Sequence, residues 1–348
     1  MRLSDFGKTI VTPVMPAAVP LAPTASGSSP SQAPSAKALA PGVRTGRSPR
    51  EAYGRAIEAA RLLARGEADK QGTRGAVAAA ARDLALGMDE DPFALLELAG
   101  RSTAGNYLYA HAANTAIYAA RVARGLKWDF ERQCATVEAA LWHDAALALH
   151  LGLCRLGRVI PTDAYSESVL HPLESGEHIR SIPEATAAFR EKLPWLTGRD
   201  AWHGAEESSR IIGFCALYES ITHWRPWRAA FLPSDGVKMM TKGHGHAPCD
   251  ALARPFLSQM GLYPVGSWVR LSNRDVGVVT KAHAGLVLNP ELDVLMGSDG
   301  VLKASPVHID LKKNPMIRVL EPVDPFQVFR PHAPLLTRLQ LSRWWLPA

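Results

Sequence analysis

Two histidines and an aspartate stand in an apolar setting in which polar side chains need a partner,. His111 lies in an alanine-rich segment, and the dipeptide His143-Asp144 follows 32 residues later within an apolar run. Burying such a polar pair is costly unless both groups are satisfied by hydrogen bonds or by a cation. Neutral imidazoles and a carboxylate are suitable ligands for Fe, Mn or Zn. From the dipeptide alone, a hydrogen-bonded His–Asp pair without metal is the simpler interpretation, and a divalent metal site is the alternative.

Five short segments around these residues occur in an order that points to one family. They are NYLYAHAAN at 106–114, WHDA at 142–145, HPLESG at 171–176, YESITHWRPWR at 218–228 and GLYPVGS at 261–267. Together they resemble the HD-GYP branch of the HD phosphohydrolase superfamily, over roughly Leu95 to Asp324. The resemblance implies a helical domain that holds two, or in some members three, metal ions and hydrolyses cyclic di-GMP, a bacterial second messenger.

The resemblance also implies roles for individual residues. His111, His143, Asp144 and His171 match ligand positions of the family, with Asp144 as the bridging, catalytic carboxylate and His171 on the second metal. Two metals about 3.5–4 Å apart polarise a phosphodiester and lower the pKa of a bridging water. The expected cofactor is therefore a divalent ion (Fe, Mn or Zn), and the expected partners are cyclic di-GMP or another nucleotide, together with a protein.

Several positions at which the family carries functional groups hold other residues here. Leu147 replaces a lysine, Tyr107 replaces the glutamate of trinuclear members, and Ala216 replaces the first aspartate of the ADVYDA helix. The paired histidines and the GYP loop are missing, and 197–200 stand in place of that loop. Three or four ligands can hold one metal, whereas two-metal catalysis needs about six or seven. The sequence therefore predicts a degenerate site with one metal or none.

Nearby polar residues are candidates to replace the missing ligands. They are His203, Glu206, Glu207 and Glu219. The simpler interpretation is that these are exposed loop or cap residues.

Three functions follow from this pattern. The leading hypothesis is a bacterial signalling or interaction module with weak or no hydrolysis of cyclic di-GMP. The alternative is an active metal-dependent phosphodiesterase or phosphohydrolase acting on cyclic di-GMP or a related nucleotide. The third is a purely structural helical bundle.

A basic and aromatic cluster follows the fourth motif. Arg225 and Arg228 lie next to Trp224 and Trp227. Arginine beside an aromatic ring can bind a guanine and its phosphate, so Arg225 and Arg228 are candidate ligand-binding residues. Packing at the end of a helix is the alternative role, and the resemblance favours it.

Composition limits the class of protein. The 348 residues are 47% apolar and 21% charged, with a net charge of +6 and a pI near 9.2. No Lys/Arg-dense block indicates a nucleic-acid polymer as partner, and no apolar run reaches the ~20 residues of a membrane span. The four cysteines form no CxxC pair, and the N-terminus lacks a signal-peptide pattern,. We therefore expect a cytoplasmic protein.

The expected fold class is mainly α: an HD-domain helical bundle followed by a small C-terminal β-barrel-like segment, or curled sheet, of about five strands. Strands are predicted at 268–271, 276–280, 285–288 and 317–320 from apolar runs between turn residues. Six segments are expected along the chain. They are a disordered Pro/Ala/Ser-rich N-terminus (1–47), N-terminal helices (48–100), an HD-GYP-like helical domain (101–240), a linker with a short helix (241–260), the β segment (261–325) and a tail (326–348).

The helical bundle has recognisable elements in the sequence. Ser48, Pro49 and Glu51 form the pattern of a capping box at a helix start,. Helices are also predicted at 111–124, 130–149, 209–224 and 252–260 from apolar residues at helical spacing. The helix at 209–224 is almost wholly apolar, so it is expected inside the bundle.

Overall fold

The structure is a computed structural model that describes residues 47–65, 71–101, 107–144, 207–223, 230–241 and 247–329. The chain separates into two units, 1–43 and 44–348, and all of the described residues belong to the second. The predictions for the N-terminal segment, for the Trp-rich end of the tail and for His171, Arg225 and Arg228 therefore lie outside the described residues.

Helices precede a single sheet. The described elements are α1 (Pro49–Ala64), α2 (Gln71–Glu90), α3 (Pro92–Ala99), α4 (Tyr107–Gly125), α5 (Phe130–Trp142), α6 (Glu207–Thr222), α7 (Pro233–Thr241), α8 (Ala247–Met260), β1 (Trp268–Leu271), β2 (Val276–Lys281), β3 (Glu291–Met296), β4 (Leu302–Asp310), β5 (Val319–Pro322) and α9 (Pro325–Phe329). Among the described helices, none combines the length and the apolar character needed to cross a bilayer.

The predicted capping box begins α1. The hydroxyl of Ser48 accepts the backbone N–H of Glu51 at 3.3 Å, and the Glu51 carboxylate accepts the backbone N–H of Ser48 at 2.7 Å. These reciprocal bonds satisfy donors that the first turn of a helix leaves unpaired. Asp91 caps α3 in the same way, by accepting the N–H of Ala94.

Helix α4 is the centre of the bundle. It packs against α1, α2, α3, α5, α6 and α8, and its residues from 110 to 123 are all buried. Many of them are alanines, whose small side chains let neighbouring helices approach closely. Helix α6 lies beside α4, and every residue of α6 is buried or half-buried, which confirms the prediction from its apolar sequence.

Helix α5 ends earlier than the sequence predicted. Its last helical residue is Trp142, and His143 and Asp144 form the turn that follows. The Nδ1–H of His143 donates to the carbonyl oxygen of Ala140 at 2.6 Å, so a side chain contacts a carbonyl near the end of the helix. The HD dipeptide is therefore at the end of α5 rather than in its interior.

The C-terminal segment is an open sheet, and the expectation of a barrel was wrong. Its five strands are all antiparallel in the order β4-β3-β2-β1-β5. Closure would require β4 to pair with β5, yet residues 303–308 of β4 are exposed along the edge. Pro306 within this strand has no N–H to donate, and proline on a sheet edge discourages further strand pairing.

Three of the four predicted strands correspond to β1, β2 and β5. The prediction at 285–288 was wrong, because Gly285 adopts a positive φ of 79° and Leu286 donates to the carbonyl oxygen of His283, which makes a turn. Strands β3 and β4 were not predicted. Helix α8 begins at Ala247, five residues before the predicted start of this helix at 252.

Candidate metal centre

Three predicted ligands converge between α4 and the end of α5. The Nε2 atom of His111 lies 3.4 Å from Nε2 of His143 and 3.3 Å from Oδ2 of Asp144. The third side of the triangle, from Nε2 of His143 to Oδ2 of Asp144, is 3.5 Å. Two imidazole nitrogens and one carboxylate oxygen thus form a nearly equilateral triangle.

The size of this triangle fits one divalent ion. Metal–nitrogen and metal–oxygen bonds of about 2.0–2.2 Å in a tetrahedral site place neighbouring ligand atoms about 3.3–3.6 Å apart. The three measured sides fall within that range. The chemistry of the donor set agrees, because imidazole and carboxylate together suit Zn and the first-row metals Fe and Mn.

Each histidine is oriented through its other ring nitrogen. His111 directs Nδ1 at the carboxylate of Glu219, and His143 directs Nδ1 at the backbone carbonyl of Ala140. Both acceptors require an Nδ1–H donor, so in a neutral ring Nε2 carries the lone pair that a metal binds. Metal-binding histidines characteristically have such partners behind them.

Glu219 is itself held by a buried network. Its side chain is fully buried, and Oε1 accepts from Nδ2 of Asn114 at 3.3 Å. The hydroxyl of Tyr53, on α1, donates to Oδ1 of Asn114 at 2.9 Å. Nδ1 of His223 lies 3.6 Å from Oε1 of Glu219 and 3.0 Å from the backbone oxygen of Glu219. Burial raises the pKa of Tyr53 well above its ordinary value, and the charge of Glu219 raises it further, so this hydroxyl stays protonated and available as a donor.

Three helices build this centre: the consecutive helices α4 and α5, and α6, which is distant from them in sequence. His111 and Asn114 lie three residues apart, on one face of α4,. Glu219 comes from the neighbouring helix α6, whose position against α8 is fixed by contacts between the rings of Phe214, Tyr218 and Phe256. His111 is 6% exposed and His143 is 1% exposed. The side chain of Asp144 is 10% exposed, slightly more than that of His111 at 7%.

The other candidate residues lie elsewhere or outside the described part. Glu207 begins α6, is half-buried and pairs with Arg132 at 3.1 Å, which agrees with the expectation of a cap residue away from the centre. The same expectation for Glu219 was wrong. His203 and Glu206, like His171, are outside the described residues. Ala216 is fully buried on α6, three residues before Glu219, and offers a methyl group where the resemblance expects a carboxylate.

Sequence reasoning did not assign the supporting residues Tyr53 and Asn114. Two signals were present. Asn114 follows His111 by three positions, which places it on the same face of a helix. Glu219 is an acidic residue within an otherwise apolar helix, and a buried carboxylate needs a partner. Nothing in the sequence pattern connects Tyr53 with this network, because it lies 61 residues before Asn114.

Comparison with known proteins gives one partial match. The cyclic di-GMP phosphodiesterase PA4108 of Pseudomonas aeruginosa is 28% identical to this chain over 103 residues, which are 30% of this chain and 25% of that protein. The chain thus spans about a quarter of the length of this relative. No family model matches the chain, and no solved structure matches it. The similarity supports an HD-GYP-like relationship at the level of a segment.

Proposed function

We propose that this chain contains an HD-GYP-related domain that binds one divalent metal through His111, His143 and Asp144. In this proposal the domain acts as a signalling or interaction module that binds cyclic di-GMP and hydrolyses it weakly or not at all. The observation that carries the proposal is the triangle of ligand atoms, with sides of 3.3, 3.4 and 3.5 Å, formed by these three residues.

The supporting partners favour a metal over a simple His–Asp hydrogen bond. If His143 and Asp144 only formed a hydrogen-bonded pair with each other, no second histidine would be needed 3.4 Å from His143. Two Nε2 atoms and a carboxylate oxygen facing one point are instead complementary to a cation. Glu219 and Ala140 hold the two rings in the orientation that this requires.

The proposal of weak hydrolysis follows from the number of ligands. The described residues supply three, and His171, assigned by the resemblance, would add a fourth. Glu219 contacts Nδ1 of His111, on the side of the ring away from Nε2, and Ala216 has no donor atom. Four ligands are fewer than the six or seven that a two-metal phosphodiesterase uses.

The residues of this chain have distinct tasks in the proposal. A bound divalent ion would polarise a phosphoryl oxygen and lower the pKa of a bound water. Asp144 is the more accessible of the three ligands, so its carboxylate is placed to accept a proton from that water. Arg225 and Arg228 are proposed to contact the guanine bases and phosphates of the dinucleotide.

An active phosphodiesterase is the second candidate. The observation that favours it is the intact support behind both histidines, since outer partners of this kind are a requirement of working metal centres,. In this alternative, residues that follow Asp144 complete a second metal site.

A combined assay tests the proposal. Full-length protein would be loaded with Mn, Fe or Zn, its metal content measured, and its binding and hydrolysis of cyclic di-GMP and of the linear dinucleotide followed. We expect dinucleotide binding, little turnover, and loss of the metal at this site in His143→Ala and Asp144→Ala. The matched control is Asp89→Ala, which removes an exposed carboxylate paired with Arg124 and should change neither property.

Two outcomes would overturn the proposal. Turnover of about one per second or faster, abolished by His143→Ala and Asp144→Ala but not by Asp89→Ala, would establish the enzyme instead. Absence of both metal and dinucleotide binding in the folded wild-type protein would leave a bundle without this centre.

A further inference from the structure

A second group of ligand-type side chains lies on the sheet, away from His111 and His143. His283 follows β2, Glu291 begins β3 and Asp310 ends β4. Nε2 of His283 is 3.0 Å from Oδ1 of Asp310 and 3.6 Å from Oε1 of Glu291. The ligand atoms of these three residues all lie within 4.8 Å of one another.

The strand register forces two of these carboxylates together. Glu291 lies directly opposite Asp310 in the antiparallel pair of β3 and β4. Their side chains are only 17% and 10% exposed. Like charges placed directly opposite each other destabilise a sheet, and partial burial reduces the screening by water. A positive charge is therefore required between them.

Lysines neutralise only part of this charge. Lys281 lies 3.5 Å from Oε2 of Glu291, and Lys313 lies 3.4 Å from Oδ2 of Asp310. Both lysines are well exposed, at 50% and 80%, so these contacts are weak,. The other oxygens, Oε1 and Oδ1, are the ones that His283 approaches. Together with Asp293 the group has three carboxylates against two ammonium groups.

A second histidine, His308, is oriented toward the carboxylate of Glu291. Nδ1 of His308 donates to Oδ1 of Asp293 at 2.9 Å, which is its cross-strand partner. Nε2 of His308 then faces Oε2 of Glu291 at 3.3 Å. His308 thus contacts the oxygen of Glu291 that His283 does not approach, and it helps to position this carboxylate.

We propose that the sheet binds a transition-metal dication of the zinc class through His283, Glu291 and Asp310. One imidazole and two carboxylates form a donor set that suits zinc, whereas magnesium and calcium are bound by oxygen ligands. The separations of 3.0 and 3.6 Å from Nε2 of His283 to carboxylate oxygens of Asp310 and Glu291 bracket the spacing of about 3.4 Å between ligands of tetrahedral zinc,.

Binding would relieve the repulsion between Glu291 and Asp310 and release Lys281 and Lys313 to solvent. It would also link the end of β2, the start of β3 and the end of β4, and so hold the exposed edge strand in place. Folding and metal binding are coupled wherever ligands come from separate strands. This site shares no residue with the centre at His111, so it stands or fails independently of the proposed function.

The test uses full-length His143→Ala, in which the centre at His111 is disrupted. Protein stripped by a chelator would be titrated with Zn²⁺, and with Co²⁺, whose visible absorption reports tetrahedral coordination. We expect one ion per chain in this background. Addition of Glu291→Gln or His283→Ala should weaken binding at least about tenfold. The matched control is Glu321→Gln, on β5 at the other edge of the sheet, where the carboxylate pairs with Arg270.

A substitution at the exposed His308 tests whether a loss of Zn²⁺ affinity is caused by misfolding. His308 is 54% exposed and contacts Oε2 of Glu291, so His308→Ala should fold and, by releasing this carboxylate, lower the Zn²⁺ affinity while leaving the unfolding temperature of the stripped protein unchanged. Two results would overturn the proposal: Zn²⁺ binding that is equally tight after Glu291→Gln, and no Zn²⁺ binding by the folded His143→Ala protein. Either result would show that these residues form an internal ion-pair network only. Wild-type protein that binds zinc at the sheet and not at His111 would refute the proposed function alone.

Discussion

Glu219 accepts a hydrogen bond from Nδ1 of His111 across a separation of 108 residues. The contact joins α6 to α4 in the interior of the bundle, where Glu219 is fully buried. A buried carboxylate is costly unless its charge is compensated, and here it has Asn114, His223 and His111 as partners. The contact fixes which nitrogen of His111 is protonated, and therefore which one faces Asp144 and His143.

Replacing Glu219 with glutamine should weaken metal binding. Glutamine keeps the size of the side chain and an oxygen acceptor for Nδ1–H, but it removes the charge that makes His111 a stronger ligand. Outer partners of metal ligands are worth about 10–100-fold in affinity, and we expect a loss in that range by isothermal titration with Zn²⁺ or Mn²⁺. Glu207→Gln, at the start of the same helix, where the half-buried Glu207 pairs with Arg132, is the control. An unchanged dissociation constant in the folded Glu219→Gln variant would show that Glu219 does not support the centre.

Tyr53→Phe tests how far the network extends. The hydroxyl of Tyr53 donates to Oδ1 of Asn114 and so fixes the amide with Nδ2 toward Glu219. Phenylalanine keeps the ring and removes this constraint, so the metal affinity should fall severalfold. The free energy of unfolding should fall by about 1 kcal/mol, as for loss of one hydrogen bond. Tyr263→Phe, in the sheet region, should leave the metal affinity unchanged, and an equal effect of both variants would refute a specific role for α1.

The candidate ligands were easier to find in the sequence than the residues that support them. The HD dipeptide and His111 stand out as polar residues in apolar segments, and the resemblance to the HD-GYP branch implied their role as ligands. The role of Glu219 depends on α6 packing against α4, and that of Tyr53 depends on α1 packing against α4. Both are contacts between helices that are far apart in sequence, and periodicity within one helix carries no information about them.

Alanine substitutions at two glycines test the packing, because their expected effects on the free energy of unfolding have opposite signs. A Cβ at Gly277 in β2 would lie 2.6 Å from the backbone oxygen of Asp293, whereas a Cβ at Gly54 in α1 would meet nothing within 4 Å. Gly277→Ala should therefore destabilise the protein by about 1–3 kcal/mol. Gly54→Ala should stabilise it by about 0.5–1 kcal/mol through helix propensity. Chemical denaturation measures both, and a neutral Gly277→Ala would be inconsistent with the pairing of β2 and β3.

Cys134 should react slowly with alkylating reagents. Burial, followed by the charge of Glu131, raises its pKa to about 11 from an ordinary value of 9.0. Because the thiolate is the reactive form, its fraction at pH 8 falls about a hundredfold relative to an ordinary thiol. The alkylation rate, followed by peptide mass spectrometry, should rise with pH up to about 11. A rate that levels off near pH 9, as for glutathione measured alongside, would contradict this environment.

The sequence pattern predicted only some strands of the sheet. Strands β1 and β2 are apolar runs that flank a clear turn, and they were predicted at their observed positions. Strand β4 was not predicted, because it is an exposed edge with proline and polar residues and therefore lacks the alternation that indicates a half-buried strand,. Closure of the sheet depends on pairing between the first and last strands in space, which composition does not specify.

The most direct measurement is an anomalous difference map from crystals of the metal-loaded protein, collected at the absorption edge of the bound metal. We expect one peak at the centre between α4 and α5, about 2.0–2.2 Å from Nε2 of His111, Nε2 of His143 and Oδ2 of Asp144. Two peaks about 3.5–4 Å apart at this centre, or no peak there, would contradict it.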